Sequence, residues 1–388
     1  MKILEITHSF VRNPQDYISH FLLTFFEGLE TQNIKIKVIS PHNSGLKRIE
    51  NYGSIEVERF RYAYDKDEIL AYKGNMHEIV LSNPFNLILL FNFIKYCIRN
   101  VKKDISDFDL IHLHWWLPFG IPVSFIANRY NKPLIISLHG TDVRLIKKYK
   151  ILRYPMRWLS ERVKAFFVVS NYIKNIMEEI GISNDKIYVL SMPVENELFF
   201  PEKHFNKNKV ILTIARFTKQ KRIEDIIEIA NNIKNDKIIF HIIGDGPEKE
   251  NIKNLINRYQ LQNILIISPM DRKQIAKKIR SSDIFILLSQ DEGFGMVVVE
   301  SMLSGVPVIL SNSGGFKNII NNNINGILVE HGDINQAILS IEKLIKNRNI
   351  RNKIVNNALK DANKYKRDNI AKRFIEIVKF ISSGENIN

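Results

Sequence analysis

Cysteine is almost absent from this sequence. Cys97 is the only one, so no disulfide can form within the chain, and a reducing compartment fits. A long apolar run is missing as well. The uncharged apolar stretch Ile79–Ile94 is broken by Ser82-Asn83-Pro84, Asn86 and Asn92. It falls short of the roughly 18 residues that cross a bilayer. Met1–Ile6 is too short for a secretory leader and runs straight into polar His8 and Ser9, so a cytoplasmic location is expected. Acid is in short supply: 41 Asp and Glu face 56 Lys and Arg, a net charge of +15. Nucleic acid, an anionic membrane surface or plain solvation each fit such an excess. The heavy use of Lys, Asn and Ile accounts for part of it without any function. No nucleic-acid recognition motif appears and the basic residues are dispersed, so no nucleic-acid partner is expected. Salt-sensitive binding to random oligonucleotides would restore that reading. With 388 residues there is room for two domains.

The stretch Ser289–Leu310 organises the rest. The branched apolar run Ile284–Leu288 before it reads as a buried parallel strand. A turn through Asp291-Glu292-Gly293-Phe294-Gly295 leads to a helix from Met296 to about Ser304, ended by Gly305 and Pro307, and then to a strand over Pro307–Leu310. Strand, glycine-rich turn, helix and strand aim backbone N–H groups and a helix N-terminus at an anion. Glu292 sits in the turn, and Glu300 lies on the helix behind it.

Glu292-x7-Glu300 with Gly-Phe-Gly after the first acid resembles the signature of family 4 retaining glycosyltransferases. The resemblance implies an α/β chain of GT-B fold, with two Rossmann-like, doubly wound domains facing across a cleft. The expected domains are 1–195, binding the acceptor, and 196–366, binding a nucleotide-sugar, with 367–388 a helix crossing back to the first. The strand Val210–Ala215 ends at Arg216, and Arg216 with Lys221 resembles the family's diphosphate-clamping pair. Gly244, after the strand Ile238–Ile243, also matches the family's donor side. The resemblance therefore assigns the donor to Arg216, Lys221, Gly244, Glu292, Gly293, Phe294, Gly295, Met296, Val297 and Glu300, with Glu300 on the ribose. Ser268-Pro269 replaces the family's usual glycine near the base, and Ser313-Gly314-Gly315-Phe316-Lys317-Asn318 lacks the family's acid.

The first half ends several strands in polar or aromatic residues. His112-Leu113-His114-Trp115-Trp116 closes one, and a His-x-His pair on a strand turns both rings to one face. Zinc requires a third ligand, and no cysteine or nearby acid supplies one in sequence. His139-Gly140-Thr141-Asp142 closes the strand Leu134–Leu138 and matches the family's His-Gly, which bonds the transferred sugar. His139 and Glu292 are the expected catalytic pair. Tyr17, His114, Trp115 and Asp142 are assigned to the acceptor. Asp65-Lys66-Asp67 and Asp107-Phe108-Asp109 match a metal-binding Asp-x-Asp, but neither follows a strand, so both read as solvated loop acids. Two fixed cations make a metal unnecessary, and no metal or other cofactor is expected. The donor is a nucleotide-diphosphate-sugar, and the acceptor a glycan or lipid-linked molecule. An epimerase on the same scaffold is the alternative enzyme, recognised by conversion of the sugar-nucleotide without an acceptor. Two segments suggest peripheral contact with the inner face of an anionic membrane: Phe85–Ile98, closed by Arg99, Lys102 and Lys103, and the basic run Arg144–Lys164, which Pro155 is expected to divide.

Overall fold

A computed structural model describes residues 1–16, 18–72, 76–202, 207–233 and 235–383. The chain forms two compact units, Met1–Pro193 together with the segment from Arg367, and Val194–Lys366. The first is built on the strands β1 (Lys2–Ile6), β2 (Lys35–Pro41), β3 (Ile49–Tyr52), β4 (Ile55–Phe60), β5 (Leu110–His114), β6 (Leu134–Leu138), β7 (Ala165–Val168) and β8 (Ile187–Val189). They lie in the order β3-β4-β2-β1-β5-β6-β7-β8. The β3/β4 pair is antiparallel and the others are parallel. β5, β6 and β7 are buried throughout, as strands covered on both faces must be.

The second unit is wholly parallel. It contains β9 (Lys209–Ile214), β10 (Ile238–Ile243), β11 (Ile264–Ile267), β12 (Ile284–Leu287), β13 (Val308–Ser311) and β14 (Ile327–Val329), in the order β11-β10-β9-β12-β13-β14. The chain winds outward from β9 to β11, then returns to the other side of β9 and winds the opposite way. The C-terminal ends of β9 and β12 therefore mark a crevice, the ligand position of Rossmann-type sheets. In the first unit the same reversal falls between β1 and β5.

Pro155 does not divide the basic segment. Helices Thr141–Lys148 and Arg153–Ser160 are separated before it, at Tyr149 and a short 3-10 turn over Lys150–Leu152. Pro155 stands in the first turn of the second helix, where its missing N–H has no intrahelical partner to lose.

One face of the first sheet is closed by the helix His20–Glu30 and the C-terminal helix Arg367–Ser383. Phe374 is fully buried between them, edge-on to Phe25 at 5.1 Å. Phe374→Ala should cost about 3–5 kcal/mol of first-unit stability. All three tryptophans, Trp115, Trp116 and Trp158, lie in that unit, so their fluorescence reports its unfolding. An unchanged urea midpoint would show that the C-terminal helix is not part of this core.

Candidate functional site

Two loops meet at the strand-order reversal of the second unit. β9 leads into Arg216 and a 3-10 turn over Lys219–Lys221, and β12 leads through Glu292 to the helix Met296–Leu303. The Gln290 N–H donates to the Gln220 carbonyl at 2.8 Å, and Gln220 Nε2 donates to the Asp291 carbonyl at 3.2 Å. Lys221 Nζ is ion-paired with Glu292 Oε2. From the other side the Gly315 N–H donates to the Glu292 carbonyl at 2.7 Å. Gly314, at φ 55°, lies so close that a Cβ there would stand 2.5 Å from that carbonyl oxygen, so no larger residue fits. The glutamate turn is thus held on both sides. Gly295 caps the helix, and the N–H groups of Met296 and Val297 head it without intrahelical acceptors. Arg216 is exposed and forms no ion pair among the described residues. Two cations, one carboxylate and the positive end of a helix therefore share this crevice, a combination suited to an anionic ligand that also carries hydroxyls.

The other expected donor residues stand behind these. Glu300 is buried, 3.1 Å from Arg272 Nη1, and Arg272 Nε donates in turn to Glu195 Oε2 at 2.9 Å. Arg272 was not foreseeable from Glu300: it opens a separate helix, 28 residues earlier. Phe294 is turned inward against Tyr365 at 5.5 Å, so only its backbone faces the loop. Gly244 lies against β9's exit, where a Cβ would stand 1.9 Å from the Ala215 carbonyl oxygen. Its small size sets the approach of the two strand ends.

In the first unit the C-terminal ends of β1, β5 and β6 gather a buried polar cluster. Glu5 is in register with His112. Its Oε2 accepts from His114 Nε2 at 2.9 Å, and His112 Nδ1 lies 2.9 Å from the same oxygen without the alignment of a hydrogen bond. His114 Nδ1 lies 3.1 Å from His139 Nε2, and His112 Nε2 lies 2.8 Å from Ser137 Oγ. Half-buried His139 packs against Trp115 at 4.5 Å and Phe21 at 4.9 Å, and His8 packs on Trp115 at 4.5 Å. His114, expected at the acceptor, is instead 2% exposed with both ring nitrogens engaged. Tyr17 lies outside the described residues.

The acid absent from the neighbourhood of His112-x-His114 in sequence is Glu5, brought in by the parallel pairing of β1 with β5. Two groups among the described residues have ligand atoms near enough to surround a metal ion: Glu5/His112/His114, and His42/Asp65/Glu68. Both are organised as hydrogen-bonded sets. His42 Nδ1 lies 2.6 Å from Glu68 Oε2, and Nε2 lies 2.8 Å from the Leu46 carbonyl. Asp65 is paired with Arg61.

Burial sets the protonation of the cluster. It lowers the pKa of His8 to about 4, with the charge of His114 acting the same way. Burial, with His112, also brings His114 to about 4 against the opposing pull of Glu5. His139 lies well below 6.5, through burial and then the neighbouring histidines. Burial alone would raise Glu5, but its contacts with His112 and His114 outweigh it and hold the carboxyl below 4.5.

Asp142 is 3% exposed, and its Oδ1 accepts from the N–H groups of Gly140 and Val143, each at 3.0 Å. Burial nevertheless raises its pKa from 3.8 to about 6. A raised carboxyl contributes stability that is complete below pH 3.8 and is lost as pH rises through about 6. Asp142→Asn, which keeps an acceptor oxygen, should be more stable than the wild type at pH 8 by on the order of 1–3 kcal/mol, with no gain at pH 4. Urea midpoints at the two pH values measure this, and a wild-type advantage at pH 8 would contradict it.

Comparison with known proteins agrees with this architecture. Residues 18–198 match the model described as Glycosyltransferase Family 4, and residues 194–361 that described as Glycosyl transferases group 1. An uncharacterized glycosyltransferase of Methanocaldococcus jannaschii is 29% identical, over 76% of this chain and 83% of its own. The N,N'-diacetylbacillosaminyl-diphospho-undecaprenol alpha-1,3-N-acetylgalactosaminyltransferase of Campylobacter jejuni is 22% identical over 93% of this chain and 95% of its own. The crystal structure of Anabaena HepE in complex with UDP-glucose superposes with a TM-score of 0.70, at 16% identity, covering 98% of this chain and 99% of that one. The chain belongs to the family 4 (group 1) glycosyltransferases and has their GT-B fold of two Rossmann-like domains.

Proposed function

We propose that this glycosyltransferase moves a sugar from a nucleotide-diphosphate-sugar to a lipid-linked or cell-envelope glycan, with retention at the anomeric carbon and without a metal ion. The observation that carries the reading is the crevice of the second unit, where Arg216, Lys221 and the N-terminus of the helix Met296–Leu303 converge beside Glu292. Charge develops on the diphosphate as the glycosidic bond breaks. Preorganised cations and N–H groups lower that barrier most when they are fixed beforehand, as the stitched loops fix these. The ion pair of Lys221 with Glu292 opens on binding, Lys221 turning to phosphate and Glu292 to sugar hydroxyls. The diphosphate takes the acceptor's proton in a front-face substitution, so no covalent nucleophile is assigned. The UDP-glucose bound by the Anabaena protein and the undecaprenol diphosphate in the Campylobacter enzyme's name support these substrate classes.

The test is turnover of UDP-, GDP- and ADP-sugars, with product configuration read by proton NMR. Activity should survive saturating EDTA, and the product anomer should match the donor's. Arg216→Ala and Lys221→Ala should each lower the rate on the order of 10²-fold. Loss of activity in EDTA restored by Mn²⁺, an inverted product, or wild-type rates in both variants would overturn the reading.

For the acceptor, the reading includes docking on an anionic membrane. No helix among the described residues is long and apolar enough to cross a bilayer. The helix Asn86–Asp104 nonetheless buries Phe93, Cys97 and Val101 while exposing Leu87, Ile88 and Phe91, and Phe85 just before it is 75% exposed. The helix Gly120–Arg129 packs beside it, and Arg153–Ser160 packs beside that. These two expose Phe125 and Tyr154, and Ile151 is exposed just ahead of the second. Lys147, Lys148 and Lys150 are exposed nearby in sequence. Apolar side chains rimmed by lysine suit a headgroup interface, with about 1 kcal/mol for each basic residue near the surface. Flotation with vesicles containing phosphatidylserine should carry the protein, weaken with salt, and drop when Lys147, Lys148 and Lys150 become Glu. A protein that stays soluble at low salt would point to a soluble acceptor.

A further inference from the structure

We propose that Glu5 and His114 are positioning residues for His139: a hydrogen-bond relay from the Glu5 carboxylate through His114 fixes the proton of His139 on Nε2 and leaves its Nδ1 as a hydrogen-bond acceptor for a substrate hydroxyl. The chain of contacts runs Glu5 Oε2 to His114 Nε2 at 2.9 Å, then His114 Nδ1 to His139 Nε2 at 3.1 Å. A neutral imidazole donates from one nitrogen and accepts at the other. A carboxylate only accepts, so the His114 proton sits on Nε2 and its Nδ1 carries a lone pair. That lone pair lies against His139 Nε2, which must donate, and the remaining lone pair of His139 is on Nδ1. The reverse assignment places a bare His114 Nε2 against the carboxylate, two lone pairs 2.9 Å apart. A doubly protonated His114 would donate to both neighbours, but His139 would then have to accept at Nε2 and hold an unmatched proton on buried Nδ1. Burial, which brings His114 to about 4, opposes that charge too.

His139 Nδ1 is buried and has no hydrogen-bond partner among the described residues. His139, His114, Ser137 and Phe21 border a cavity of about 30 Å³, space for a single water or hydroxyl group. The relay therefore assigns His139 a polarity. It accepts a hydrogen bond from a hydroxyl, and its one proton is spent on His114, so it has none to give to a leaving group. The hydroxyl as ligand rests on the transferase reading above, whereas the relay belongs to the free protein.

The test is ¹⁵N NMR of protein labelled at histidine, in the absence of any substrate, with circular dichroism as a check of folding. In the wild type at pH 7, His114 and His139 should both be neutral and protonated on Nε2. Glu5→Leu removes the acceptor that orients the relay, and His139 should then populate the Nδ1-protonated form as well. If Glu5→Leu does not fold, His114→Phe serves: the phenyl ring keeps the packing but has no nitrogen to accept from His139, so its loss of the ring acceptor should likewise release His139. A wild-type His139 protonated on Nδ1 would overturn the relay. So would a His139 signal unchanged in a folded variant, or a stoichiometric zinc in the purified protein, which would take the ring nitrogens as ligands. Failure of every sugar-nucleotide in the turnover assay, with these spectra as expected, would reject the transferase reading and leave the relay standing.

Discussion

Reversal of strand order in a parallel sheet decides where this molecule can work. Because β12 returns to the opposite side of β9, the connections on the two sides run in opposite directions and leave a gap at the C-terminal ends of these strands. The second unit fills that gap with charge. Arg216 and Lys221 come from one loop and Glu292 from the other, and hydrogen bonds through Gln220, Gln290 and Asp291 bind the loops together. The constraint is local and rigid. An electrostatic site gains most when its dipoles need not reorganise during the reaction, and glycines packed on the Glu292 backbone serve that end.

The first unit answers the same topology differently. At its reversal, between β1 and β5, it buries one carboxylate among histidine rings. A charge in such surroundings is tolerated only when its partners are arranged around it. That requirement fixes the orientation of His114 and, through it, His139. The two units thus use opposite chemistries at equivalent places in their sheets: solvent-accessible cations in one, a dry acid–imidazole network in the other.

Much of this was legible in the sequence where it depends on neighbours along the chain. Ser289–Leu310 declares its strand, turn, helix and strand through apolar runs, glycines and Pro307, and each element lies within a residue or so of its expected bounds. What depends on distant partners was not legible. Glu5 reads as an ordinary strand residue until β1 pairs with β5, and only then does it supply the acid that His112-x-His114 lacks. Arg272 is likewise hidden until its helix packs near Glu300. Proline misleads as well: Pro155 reads as a break and instead stands in the first turn of a helix. Burial is the third difficulty: nothing local announces that the Phe294 side chain packs on Tyr365 or that the Asp142 carboxyl holds its own turn.

The central claim is that a sugar-nucleotide is held by the crevice of the second unit. Amide hydrogen exchange, with and without UDP-glucose, GDP-mannose or ADP-glucose, locates binding directly, because a bound diphosphate slows exchange of the N–H groups that face it. One of the three nucleotides should protect residues 215–222 and 290–300. Protection confined to other segments, or none with any of the three, would contradict the claim.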